Sequence, residues 1–174
     1  MGGAILKNNP WPERDMNNRT PQVEAFWAAY KAAAGIDHDR YDVVAFGDSP
    51  EMADELAELV VDGPKRATAG LARDFGPGGE PMPKVGEHVV VIDGRGAPRC
   101  IWRTSDVAVR PLTDVDDAFA WDEGEGDRSR DYWLRAHRDF FSRQAAREGF
   151  EFHDRIETVF ERFVLVWPPE LAGN

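Results

Sequence analysis

The chain has 174 residues, a formal charge of -11 at pH 7, 42% hydrophobic content, six tryptophans and ten phenylalanines. That is enough apolar material for one sizeable core in one main domain, and it excludes a disordered chain. The acidity excludes a broad nucleic-acid groove, because phosphate affinity comes from clustered Lys and Arg, so any RNA contact must be a local basic patch on an acidic body.

Met1 to Pro10 lacks the charged, long apolar and small-residue segments of a signal peptide, and no apolar run approaches membrane-spanning length. A cytoplasmic protein without membrane contact is expected. Gly2 to Asn18 reads as a polar tail pinned by Trp11. Thr20 caps and Pro21 starts a helix through Ala34, with Val23, Phe26, Trp27 and Tyr30 on one face and Gly35 closing it. This tail and helix, residues 1–40, precede the main domain.

Tyr41 to Phe46 reads as a short strand, after which Gly47-Asp48 turns the chain into a second helix. Ser49 is a good N-cap, Pro50 fits the first helical position and Glu51 sits at the positive end of the dipole. Met52, Leu56, Leu59 and Val60 recur at helical spacing, so one face is buried. The tetrapeptide Gly47-Asp48-Ser49-Pro50 also invites comparison with Gly-Asp-Ser-Leu esterases. Their catalytic histidine follows an aspartate by three residues, no histidine here does, and capping accounts for Ser49. The four histidines are scattered without metal-ligand spacing.

Gly63 is expected to close the second helix in the left-handed conformation, and Pro64 forbids its continuation. Lys65 and Thr68 follow on a stiff turn. On one reading Lys65 and Arg66 complement the negative end of the helix while Thr68 begins a strand. On the other the turn is a site, in which a lysine lowers the proton affinity of a neighbouring hydroxyl, or accepts its proton if burial pulls the amine's own pKa down. Because Lys65 lies on a turn and outside the apolar stripe, its loss is expected to spare folding.

Ala69 to Phe75 reads as a strand and Gly76 to Pro83 as a Gly/Pro-rich loop. Glu87 to Ile92 and Arg99 to Val109 form two β-rich runs joined at Asp93-Gly94-Arg95-Gly96, a hairpin signal. Gly94 and Gly96 make no nucleotide loop, since no helix follows them. The single cysteine, Cys100, excludes an internal disulfide, fits a reducing compartment and reads as a buried thiol in the second run.

Thr113 to Gly126 is the most acidic stretch and reads as a solvated face; a divalent cation stays open, although no EF-hand template is present. Within it two glycines flank one carboxylate in Gly124-Glu125-Gly126, and glycines let backbone approach a ligand closely. A helix from Ser129 to Arg147 follows, capped by Asp127 or Ser129, with Tyr132, Trp133, Ala136, Phe140 and Phe141 on its apolar stripe. Thr158 to Trp167 alternates as a long closing strand that Pro168-Pro169 stops. Five to six strands, mostly antiparallel by their hairpin spacing, with helices between them, give an α+β barrel-like domain.

The turn GPKRAT, the segment PKVGEHVVVIDGRGAPRCIWRTSDV, the run EGEGDRSRDYW and the closing ETVFERFVLV resemble, in that order, the ASCH-domain family, over roughly Asp42 to Val166. The resemblance implies a PUA-like mixed or antiparallel β-barrel with flanking helices over residues 41–168, with 169–174 as a short tail. The family's turn reads Gly, any, Lys, Thr, any, Thr; here Arg66 stands at the first threonine, while Lys65 and Thr68 keep their places. In the family this turn lines a cleft between barrel and helices. Two functional classes are implied. One is a hydrolase of N4-acylated cytidine or of single-stranded RNA, with Lys65 as base or electrostatic activator, Thr68 as nucleophile or orienting hydroxyl, and Glu125 as acid/base carboxylate. The other is a binding module for RNA or a modified nucleoside. Arg66, Arg73, Arg128, Ser129 and Arg130 are the candidate substrate contacts. The repeat Glu-Gly-Glu-Gly lets Glu123 take the place of Glu125. Lys65, Thr68 and Glu125 are expected to converge on one concave surface; no metal ligands are assigned, and the oligomeric state stays open.

Overall fold

The computed structural model describes residues 5–6 and 18–173; Trp11, expected to pin the tail, lies outside them. Helix α1 (Pro21–Ala34) starts where the Thr20 hydroxyl accepts a hydrogen bond from the Val23 N–H, and it ends at Gly35 with φ 67°. Strand β2 (Asp42–Phe46) follows the short β1 (Ile5–Leu6) and leads into α2 (Pro50–Val61). After β3 (Ala67–Leu71) come β4 (His88–Ile92) and β5 (Pro98–Pro111), then α3 (Asp117–Glu123), α4 (Arg130–Glu148) and β6 (Glu157–Trp167).

The six strands form one sheet in the order β1-β2-β4-β5-β6-β3, curled into a half-barrel with the four helices around it. β2 and β4 pair in parallel and every other pair is antiparallel, so the sheet is mixed. A parallel pair needs a crossover, and here α2, β3 and the Gly/Pro-rich loop provide it, with β3 carried to the far edge against β6. Side-chain alternation then divides the core. Val44, Phe46, Val89 and Val91 point into a cluster covered by α2, α3 and α4, whereas Ala45, Val90 and Ile92 join Val23, Trp27 and Tyr30 of α1. Both faces of β2 and β4 are therefore covered, which is why these strands read as unbroken apolar runs.

The Ser49 hydroxyl accepts a hydrogen bond from the Met52 N–H at 3.1 Å and caps α2. Ser49→Ala is expected to lower stability by about 1 kcal/mol, read by urea denaturation. An unchanged midpoint would remove the capping account of this serine.

Four expectations need correction. Gly63 does not close α2 in a left-handed conformation: Asp62 caps the helix at φ -110°. A Cβ on Gly63 would lie 2.8 Å from the Leu59 carbonyl oxygen, so the glycine serves close packing. Strand β3 runs from Ala67 to Leu71 and a single 3₁₀ turn, Ala72–Asp74, replaces its expected end. The chain leaves the sheet there because the following loop folds back, with the Glu80 N–H donating to the Asp74 carbonyl at 2.8 Å. The acidic stretch expected to be a solvated face contains α3, whose Phe119, Ala120 and Glu123 are buried. Asp116 accepts from the Phe119 N–H at 2.7 Å and Asp117 lies in the first turn, so these acids favour the helix start while disguising its apolar side. Lys65, expected to be dispensable for folding, is fully buried and ion-paired.

Candidate functional site

The turn between α2 and β3 is fixed from both sides. Its Lys65 N–H donates to the Leu59 carbonyl at 3.1 Å and its Arg66 N–H to the Asp122 carbonyl at 2.7 Å. The end of α3 is thereby locked against the end of α2. Gly124, at φ 73°, makes this closeness achievable, since a Cβ there would sit 2.8 Å from the Lys65 nitrogen. Gly126 is similarly confined by the Tyr132 ring. What these glycines make room for, the backbone of the Lys65 turn and the Tyr132 ring, belongs to the protein itself, where a ligand was expected.

The Lys65 side chain is 0% exposed. Its Nζ lies 3.0 Å from Glu125 Oε1, 3.4 Å from Glu123 Oε1 and 3.5 Å from the Glu123 carbonyl oxygen, with the Phe46 ring 5.5 Å away. Lys65 and Glu125, sixty residues apart, thus meet as expected, and Glu123 joins them rather than replacing Glu125. The two carboxylates are not equivalent. Glu123 Oε2 accepts from Trp133 Nε1, while its Oε1 faces both Lys65 and His137 Nε2, the latter at 3.2 Å. Glu125 is held by Lys65 and is the most exposed of the three, at 6%.

Burial alone would depress the Lys65 amine, but Glu125 and Glu123 outweigh it and hold its pKa above the ordinary lysine value. Burial pushes the Glu125 carboxyl above the usual range; Lys65 opposes that rise and the Glu123 charge adds to it. The lysine is therefore kept as an ammonium, and Glu125 gives up its charge more readily than an ordinary carboxylate does.

Thr68 lies on β3, buried, with its backbone directly opposite Glu161 of β6. Glu161 is buried as well and accepts a hydrogen bond from the Thr104 hydroxyl at 2.6 Å. The candidate substrate contacts are dispersed. Arg66 donates to the carbonyls of Val60 at 2.9 Å and Lys65 at 2.6 Å, tying off the end of α2. Arg130 donates to the carbonyls of Val115 at 2.7 Å and Thr113 at 2.8 Å, and Ser129 caps α4 by accepting from the Tyr132 N–H. Arg128, at φ 62°, donates to the Trp121 carbonyl and stacks on the Trp121 ring. Arg73 stands over the Phe150 ring beyond the far end of β3.

Cys100 is buried and burial pushes its thiol up to about 12, which leaves it inert. Among the described residues no group of three His, Cys, Asp or Glu side chains could hold a metal ion, and no helix is long and apolar enough to cross a membrane.

The sequence pattern of the ASCH domain matches residues 42–167. The chain belongs to the ASCH-domain family. The crystal structure of an ASCH domain from Lactobacillus crispatus JV V101 is similar, with 32% identity and a TM-score of 0.78 over 84% of this chain and 95% of that one. A protein from Enterococcus faecalis V583 matches at 34% identity and a TM-score of 0.75, over 83% of this chain and 92% of that one. No curated protein matches. The ASCH match begins at β2 and closes with β6, so α1 precedes it and packs on the sheet from outside the matched residues.

Sequence reasoning missed Trp133, His137 and Glu161 as members of buried polar clusters. Trp133 and His137 stand one helical turn apart with rings stacked at 3.7 Å. The available signal was a histidine within an otherwise aromatic helical stripe. For Glu161 it was a charged residue on the strand face that Val159 and Phe163 share, two positions to either side in a closing strand.

Proposed function

We propose that this ASCH domain is a hydrolase of a modified cytidine nucleoside or of RNA, with N4-acylcytidine the favoured substrate. The observation that carries it is the buried Lys65 ammonium between two carboxylates. Removing three ionisable groups from water is costly, and apolar side chains of similar volume would hold the fold at least as well. A module that only bound RNA would instead rely on accessible cations. Arg66 and Arg130 are committed to backbone carbonyls and the chain carries -11, which favours a small uncharged substrate over a polynucleotide.

In this reading Lys65 is a fixed positive charge rather than a base, since its carboxylate partners hold its proton in place. Thr68 Oγ attacks the acyl carbon and its proton passes to Glu125, while Lys65 stabilises the oxyanion that forms. Glu125 returns the proton to the N4 amine as the C–N bond breaks, and water then releases the acyl group from Thr68 as a carboxylate. A carboxyl whose pKa is raised by burial suits both halves of that exchange.

The test measures carboxylate release from N4-acetylcytidine beside cleavage of single-stranded RNA, with and without divalent metal. Thr68→Val keeps the strand's shape and deletes the hydroxyl, so turnover should fall by about two orders of magnitude or more. Full activity in Thr68→Val would remove the nucleophile assignment. A wild-type protein that turns over neither substrate would leave the domain as a nucleoside- or RNA-binding module.

A further inference from the structure

The cluster around Lys65 does not balance electrically as long as it is taken to be one lysine and two carboxylates. A fourth member, His137, is 1% exposed and reaches it from α4. Its Nδ1 lies 2.8 Å from the Trp133 carbonyl oxygen, which can only accept, so Nδ1 carries a hydrogen. Nε2 lies 3.2 Å from Glu123 Oε1, an ion-pair distance at which it makes no hydrogen bond, and among the described residues it has no hydrogen-bond partner. A bare nitrogen lone pair this close to a carboxylate oxygen in a dry interior is repulsive, and a proton on Nε2 turns that repulsion into an attraction between opposite charges. The titratable groups facing the ring are Glu123 and, beyond it, Lys65 and Glu125; its other neighbours are the rings of Trp133 and Phe141.

We infer that His137 is a positioning residue: it holds a proton against Glu123, and that proton leaves Glu125 ionised and able to act as a base. With it the buried set is two cations and two carboxylates. Without it, the single Lys65 charge must serve two anions, and the second anion relieves the imbalance by protonating. Glu125 is the group that would take that proton, being one contact from Lys65 where Glu123 has Trp133, His137 and Lys65 around it. The protonation of Glu125 and of the His137–Glu123 pair is thus one coupled equilibrium. Helix α4, through Trp133 and His137, holds Glu123 in place and sets the basicity of the group that meets substrate.

This role rests on the reading of Glu125 as the reactive carboxylate, but it is tested without any substrate. Nitrogen-15 spectra of the His137 ring and carbon-13 titration of the Glu125 carboxyl follow the two halves of the equilibrium directly. In the wild type both ring nitrogens should carry protons where Glu125 is ionised. In His137→Gln the Glu125 midpoint should rise by about one pH unit or more. In Glu123→Gln/His137→Gln it should return to or below its wild-type position, because the competing anion is gone. A purely structural histidine would produce neither the rise nor the return. A bare Nε2 beside an ionised Glu125, or a Glu125 midpoint unmoved in His137→Gln, would overturn the inference. Should His137→Gln fail to fold, Glu123→Gln alone decides: it should lower the Glu125 midpoint and remove the Nε2 proton, and the absence of both changes counts against the role. Failure of the hydrolase reading shows separately, as no turnover in a protein whose spectra behave as described.

Discussion

Lys65→Met is expected to reduce turnover of N4-acetylcytidine by roughly two orders of magnitude or more and to cost about 3 to 5 kcal/mol of stability. The first effect follows from the role proposed for the ammonium, to stabilise the oxyanion and keep Glu125 poised. The second follows from what is left behind. Lys65 is fully buried, and its removal strands Glu123 and Glu125 in a dry interior with no lysine to balance them. Methionine fills the volume, so the loss is electrical and not a cavity. The two effects separate in the double variant Lys65→Met/Glu125→Gln, which removes one stranded anion along with the cation. Its stability should recover substantially while its activity stays lost. Urea denaturation and steady-state kinetics on the same preparations give both numbers. Lys65→Met with wild-type stability would mean that the buried pairs contribute nothing to the fold, and with wild-type turnover it would end the catalytic assignment.

Much of the fold was legible because local signals agreed with tertiary demands. Thr20-Pro21 and Ser49-Pro50 mark helix starts that the structure keeps, and Gly35 marks an end. The parallel pairing of β2 with β4 was not legible, since strands buried on both faces show no alternation that would reveal their partners. Helix α3 was hidden because its capping acids made the segment look solvated. In the site, Lys65 and Glu125 were legible from their places in two motif segments. What the residues alone could not supply was the environment. A lysine on a turn reads as exposed until α3 is seen closing over it, and that closure depends on a hydrogen bond from Arg66 to Asp122 across more than fifty residues. The direction of the Lys65 shift depended on the same fact. Burial by itself would have made the amine a base; burial together with two carboxylates keeps it a cation.

Gly124 carries the second large effect. Gly124→Ala should lower stability by a few kcal/mol and turnover by about two orders of magnitude, although the residue carries no side chain to react. Two costs combine. At φ 73° an L-residue is in the left-handed region, which costs roughly 1 to 2 kcal/mol. The added Cβ would also lie 2.8 Å from the Lys65 nitrogen, 2.9 Å from the Pro64 carbonyl carbon and 3.0 Å from the Lys65 Cα. All three are backbone atoms, and no rotamer change can move them aside. The end of α3 must therefore draw away from the turn, and Glu123 and Glu125, on either side of Gly124, move with it. The 3.0 Å contact between Lys65 and Glu125 has little slack before it ceases to be a hydrogen bond. Gly149 provides the control, because it closes α4 at the same φ of 73° and a Cβ added there would meet nothing within 4 Å. Gly149→Ala should show the left-handed cost alone and leave turnover unchanged. Equal losses of stability in the two variants, with activity intact in both, would mean that α3 can shift without disturbing the carboxylates, and that the close approach at Gly124 does not hold the site together.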